Sequence, residues 1–155
     1  MPAPFDLSFS SFEVSKFHFT EIADRDFDKP PEYLAVTSFS VTDSSSKVAL
    51  KQAIQMVVRI KGNPITSAEI IVDAVFDIPT RKALWEAPKI RVLLKTIMSG
   101  LVASTCRGLL IDRLAKTSLS GFIMPIVDPA GLFTLDPEEA DAFKDQEAAA
   151  TTPTT

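Results

Sequence analysis

The chain has 155 residues, 46% of them apolar and 23% charged, with a formal net charge of -4. That is enough for one domain with a real core, and the balance excludes global disorder. A single cysteine excludes a disulfide framework or a multi-cysteine metal site, the single histidine, His18, excludes a His-rich zinc or iron centre, and five glycines leave little for a phosphate-cradling loop.

The start, Met1 to Asp6, has neither a basic stretch nor an apolar core, so no secretory leader is expected. No apolar run approaches the roughly 20 residues that span a bilayer. With one thiol as well, the expected compartment is the cytosol. From Leu7 the pattern alternates: Leu7 and Phe9, then Phe12 and Val14, then Phe17 and Phe19. Parity flips at Ser10-Ser11 and again at Ser15-Lys16. A strand absorbs such a flip only with an extra residue, so one long strand with bulges or a sharp twist is predicted. Ala23 to Glu32 is acidic and ends Lys29-Pro30-Pro31, which forbids a central strand and predicts a crossing loop.

Three further strands follow, over Tyr33 to Thr42, Val48 to Lys61 and Ser67 to Ile78, with turns at Asp43-Ser44-Ser45-Ser46 and Gly62-Asn63-Pro64. On the last, Ile70, Val72, Ala74, Phe76 and Ile78 share one face. Ile71 and Val75 join Glu69, Asp73 and Asp77 on the other, which suggests a partner surface or a covering loop. The period then becomes helical, with Ile90, Leu94, Ile97, Leu101, Thr105, Gly108 and Ile111 three to four residues apart. Two helices are predicted, Lys82 to Met98 and Gly100 to Lys116, with the break at Ser99-Gly100 because glycine costs up to roughly 1 kcal/mol inside a helix. Small residues in the second piece suit either close helix–helix approach or packing on the sheet. Phe122 to Pro129 carries two prolines and reads as extended. Asp136-Pro137-Glu138-Glu139 reads as a helix start, and that helix should run to about Glu147. The expected architecture is α+β: a four-stranded antiparallel sheet, a long helix on one face and a short C-terminal helix, in one domain over 1–147 with a disordered tail over 148–155.

Residues 81–116 hold eight bases and two acids, between acidic ends. The reading favoured is a helix with solvated basic edges and no nucleic-acid partner, because an acidic protein without interleaved aromatics and bases is a poor phosphate binder. No catalytic motif is visible, so no enzyme and no cofactor are expected. Cys106 with His18 and an acid is the one conceivable thiol triad, but Cys106 sits among Val102, Leu109 and Leu110, the setting of an inert buried thiol. Asp73 and Asp77, roughly 13 Å apart along a strand, are too far apart for a carboxylate dyad.

The order of these elements, with Cys106-Arg107-Gly108-Leu109-Leu110-Ile111, then Thr117-Ser118-Leu119-Ser120-Gly121-Phe122-Ile123-Met124-Pro125-Ile126-Val127-Asp128, and with Phe12-Glu13-Val14 and Phe19-Thr20-Glu21 in the first strand, resembles the SecB-type export chaperones over about residues 9–145. The resemblance implies an ATP-independent holdase that binds unfolded, export-competent polypeptides and delivers them to the SecA motor. It implies a homotetramer, a dimer of dimers with its long helices between two sheets, that does not insert in membranes. The groove of that family corresponds here to Phe27, Tyr33, Phe39, Leu132, Phe133 and Phe143, and Trp85 is added without a clear counterpart. The acidic SecA-facing surface corresponds to Glu13, Glu21, Glu69, Asp73 and Asp77. Some SecB-like proteins serve toxin–antitoxin modules instead, so an adaptor with one dedicated partner is the alternative.

Overall fold

A computed structural model describes residues 6–22, 29–43 and 45–150, with side chains of the last helix described as far as Lys144. Its first element, β1 (Ser8–Phe19), pairs antiparallel with β4 (Asn63–Asp77), and the register shifts between Phe9 and Ser11 and between Val14 and Lys16. These are the two places where the alternation changes parity. The extra residues keep Phe9, Phe12, Val14, Phe17 and Phe19 opposite Phe76, Ala74, Val72, Ile70 and Ala68, all on one face.

β2 (Glu32–Val41) and β3 (Lys47–Ile60) complete a sheet of order β1-β4-β3-β2. The link from β1 to β2 therefore runs from one edge of the sheet to the other, as a crossing loop must. Positions 23–28 of it lie outside the described residues. Its first residues are tied to the end of the long helix: the Ser118 amide donates to the Glu21 carboxylate at 2.9 Å, and the Ile22 amide to the Ser118 hydroxyl at 3.3 Å. The β3–β4 turn is one residue earlier than its Gly-Asn-Pro signal suggested. Lys61 and Gly62, with φ of 51° and 80°, form a two-residue turn, and Asn63 already pairs with Ile60. Two successive positive φ values give the twist a tight hairpin requires.

The helices differ more from expectation. α1 (Arg81–Trp85) is a single turn, and α2 (Pro88–Leu114) then runs unbroken through Ser99 and Gly100. The break falls before Pro88 instead, because proline is well placed at the first position of a helix. Gly100 stays helical for a local reason: a Cβ there would lie 3.3 Å from the Pro129 ring. Its propensity cost of roughly 1 kcal/mol is offset by that close approach. The buried stripe recurs every four residues as Leu94, Met98, Val102, Cys106, Leu110 and Leu114. It packs on Val48, Leu50, Ile54, Met56, Ile70, Val72 and Phe76 of the sheet in one core. Ile97, Leu101 and Ile111, expected on that stripe, are exposed instead. With Leu93, Ser104 and Gly108 they fall within roughly 80° of the helix's circumference at 100° per residue, a second and uncovered apolar strip. By length and composition α2 could cross a membrane, contrary to the reading of the sequence, although 39% of its most apolar window is buried in the fold.

After α2 the chain is extended over 122–128, as its prolines predict, and then makes a 3-10 turn (Pro129–Leu132) capped by the Asp128 carboxylate, which accepts from the Ala130 amide at 3.1 Å. α3 (Pro137–Ala150) extends three residues past Glu147 into the stretch expected to be tail, and 151–155 lie outside the described residues.

Candidate functional site

At one end of the molecule β2, α2, the 3-10 turn and α3 converge. Phe39 on β2 and Phe133 just past the 3-10 turn meet edge to face, with ring centroids 5.4 Å apart and planes at 89°. Leu132 beside them is buried. Lys95 of α2 reaches over both rings, its ammonium 5.8 Å from each centroid. The same ammonium lies 2.7 Å from a Glu139 carboxylate oxygen, which Arg91 Nε also approaches at 2.7 Å. Arg91 further contacts Asp136 at 3.0 Å, Glu138 at 3.3 Å and the Trp85 carbonyl at 2.7 Å.

Glu139 also completes the start of α3. Its carboxylate accepts from the Asp136 amide at 3.0 Å, and the Asp136 carboxylate accepts from the Glu139 amide at 2.9 Å, a reciprocal capping box. Burial acts to raise the Asp136 carboxyl, but the Glu139 amide and the Arg91 and Lys95 charges outweigh it and hold it below the ordinary range. Burial likewise acts to lower Arg91, and the hydrogen bonds to Glu139 and Glu138 overcome it and raise the guanidinium.

Beside this cluster a groove of about 450 Å³ opens between α2 and α3, lined by Lys89, Val92, Leu93, Thr96, Ala130 and Phe143. Leu93 and Phe143 are 46% and 43% exposed, so its apolar walls face solvent. Of the expected groove residues, Phe39, Leu132 and Phe133 are thus brought together, and Phe143 lines the adjoining groove. Tyr33 shares the inner face of β2 with Phe39 but lies six residues away, roughly 20 Å along the strand. Trp85 belongs to α1, half-buried on the core beside Arg81 and Lys82. Phe27 lies outside the described residues.

Four of the five expected acids, Glu13, Glu69, Asp73 and Asp77, do share the outer face of the sheet, but they do not form an open acidic surface. Lys16 pairs with Glu69, and this hydrogen bond, helped by one from Gln55, lowers the Glu69 carboxyl below its usual value. Lys51 stands 3.9 Å from Asp73, and the Ser46 hydroxyl donates to Asp77. Glu21 is elsewhere, bonded to the Ser118 amide past the end of α2. The same outer face carries Leu34 and Val36 of β2, 58% and 56% exposed.

This architecture is found in a SecB-like chaperone. The Rv1957 SecB-like chaperone of Mycobacterium tuberculosis, solved in complex with a ChAD peptide from the Rv1956 HigA1 antitoxin, superposes with a TM-score of 0.54 over 78% of this chain and 90% of that one. The two are 11% identical, so the likeness is one of fold. No family model matches the sequence, and no curated protein matches it.

In this SecB-like frame the thiol triad does not assemble. Cys106 is buried on the inner face, its sulfur 3.7 Å from Gln52 Oε1, and burial pushes the thiol up to about 12. His18 is on the outer face opposite Glu69 and bonds Thr20 at 3.1 Å. The sheet separates the two. Among the described residues no group of His, Cys, Asp and Glu could hold a metal ion. The sequence reading missed Arg91, Lys95 and Glu139, the charged heart of the site. It counted Arg91 and Lys95 with the solvated edge of a helix and Glu139 with the ordinary first-turn acids. Leu93 was missed too, although its spacing to Ile97 and Leu101 was a readable signal of a second apolar strip.

Proposed function

We propose that this chain is a non-catalytic, ATP-independent holdase that binds non-native polypeptides in the cytosol of a bacterium. The observation that carries the reading is the solvent-facing apolar groove of α2 and α3 beside the Phe39–Phe133 pair, in a fold shared with a chaperone solved with a peptide. Aromatic and aliphatic walls accept many sequences, because ring contacts are large and weakly directional. Several modest contacts along one wrapped client then add through effective concentration. A second copy of the chain is the natural cover for Leu93, Ile97, Leu101 and Ile111, which supports assembly through α2 toward a dimer of dimers. The test is light scattering from several chemically denatured proteins diluted into buffer without nucleotide. Suppression at near-stoichiometric amounts for unrelated proteins supports the holdase, and no suppression by the folded protein refutes it.

The outer face favours the adaptor alternative over delivery to SecA. Glu69 and Asp73 already have Lys16 and Lys51 as partners, and Leu34 and Val36 offer apolar surface beside them. Such a face suits one dedicated protein that buries aliphatic side chains, such as an antitoxin or its complex, better than a basic tail. Binding of SecA that weakens on Glu13→Lys and Asp73→Lys substitution would reverse this preference.

A further inference from the structure

We propose that α3 is a reversible cover over the aromatic end of the groove, latched by the single buried carboxylate of Glu139; this deepens the peptide-binding reading above and rests on it. Among the described side chains of α3, Pro137 to Lys144, the only buried one is Glu139, at 0% exposure. Phe143, the bulkiest apolar residue of that stretch, remains 43% exposed. The helix is thus docked by a charge, without a buried apolar face. Its contacts with the rest of the fold are made mainly to α2.

A charge latch releases differently from an apolar one. Taking Glu139, Arg91 and Lys95 out of water carries a desolvation cost that largely cancels their attraction, and lifting α3 away returns all three to water. The docked and released states are therefore closer in free energy than the short distances of 2.7 Å suggest. Two further features make release cooperative. The Glu139 carboxylate also accepts from the Asp136 amide, so the first turn of α3 and its docking are lost together. The Lys95 ammonium bridges Glu139 and the Phe39–Phe133 rings, so losing the carboxylate frees it to swing to water and leaves the rings open to an incoming side chain. A client that fills the groove would stabilise the released state, and apparent affinity would rise with the fraction of molecules already open.

The experiment is hydrogen exchange on the full chain, wild type, Glu139→Gln and Lys95→Met, comparing α3 with β3, alongside the Kd for a fluorescently labelled, permanently unfolded test polypeptide. In the wild type, α3 amides should exchange about tenfold or more faster than those of β3, as a separate opening unit. Glu139→Gln leaves two buried cations short of a partner, and it should speed α3 by a further factor of about ten with β3 unchanged. The Kd should tighten by a comparable factor, since it scales inversely with the open fraction. Lys95→Met, which keeps an apolar stem over the rings, should give intermediate values and guards against misfolding of the first variant. Exchange of α3 and β3 in step in every variant would overturn the latch. So would an opened α3 in Glu139→Gln with Kd unchanged, which would leave client binding itself standing. Failure of the wild type to bind the polypeptide would instead strike the parent reading, and exchange would then decide the latch alone.

Discussion

Truncation of two leucines on α2 separates the core of this fold from its open strip. Leu94 is fully buried on the sheet, among Leu50, Ile54, Ile70 and Val72, each 0–1% exposed. Leu94→Ala removes about three methylene equivalents at roughly 0.8 kcal/mol each. The two long strands beneath leave little room to collapse, so a cavity term brings the cost to about 3–4 kcal/mol. Leu101 is 43% exposed, and truncation there opens only to solvent, so its cost in an isolated protomer is about 1 kcal/mol. Urea unfolding, followed by Trp85 fluorescence at two protein concentrations about twentyfold apart, reads both. Leu94→Ala should lower the midpoint equally at both concentrations with an unchanged slope. If a second copy covers the strip, the cost of Leu101→Ala should grow at the higher concentration. Equal costs for the two variants at every concentration, or less than about 1.5 kcal/mol for Leu94→Ala, would refute the assignment of faces.

Other consequences are equally direct. Cys106, with its thiol pushed up to about 12, should react with a thiol reagent at pH 8 only as fast as the fold opens; labelling at the rate of a free thiol would contradict its placement. Asp136 and Glu69, both held below their ordinary values of 3.8 and 4.5, contribute stability that is fully present above those values and lost as pH falls through the lower folded ones. Acid titration of Asp136→Asn should show that loss reduced, and an unchanged profile would count against the cluster. Gln52 is 1% exposed, and its amide nitrogen has no hydrogen-bond partner. Gln52→Met should therefore be neutral or stabilising by up to about 1 kcal/mol, and a comparable loss in thermal unfolding would reveal a hidden partner. Gly108 has open space where a Cβ would go, so Gly108→Ala should raise protomer stability by about 0.4–1 kcal/mol, more than Gly100→Ala against the Pro129 ring.

The strands were readable because each face of a sheet imposes a strict period of two, and even the bulges of β1 left their mark as parity flips at Ser10 and Ser15. The helix was less so. Two apolar strips about 100° apart, Leu94-Met98-Val102 and Leu93-Ile97-Leu101, merge into one broad period when read along the chain, and only the sheet decides which is buried. The break was misplaced for a similar reason: the glycine signal at Gly100 is local, but the Pro129 ring that makes it useful arrives from almost thirty residues away. At the site, the aromatic residues carried their own signal and the charges did not. Glu138 and Glu139 are adjacent, identical and both in a first helical turn, yet one side chain is 76% exposed and the other 0%. That difference depends on Arg91 and Lys95 lying opposite, which no local pattern announces.

The sheet order also has a consequence for how the protein is made. β1 is synthesised first, yet its sole partner strand is β4, with Ser8 opposite Asp77 and Phe19 opposite Ala68. At about 5–20 residues per second on a ribosome, the N-terminal strand waits several seconds before that partner has emerged. During that interval Phe9, Phe12, Phe17 and Phe19 have no sheet to bury them. Each new chain therefore passes through a stage in which it has the exposed, aromatic-rich character of the polypeptides that the finished molecule is proposed to hold.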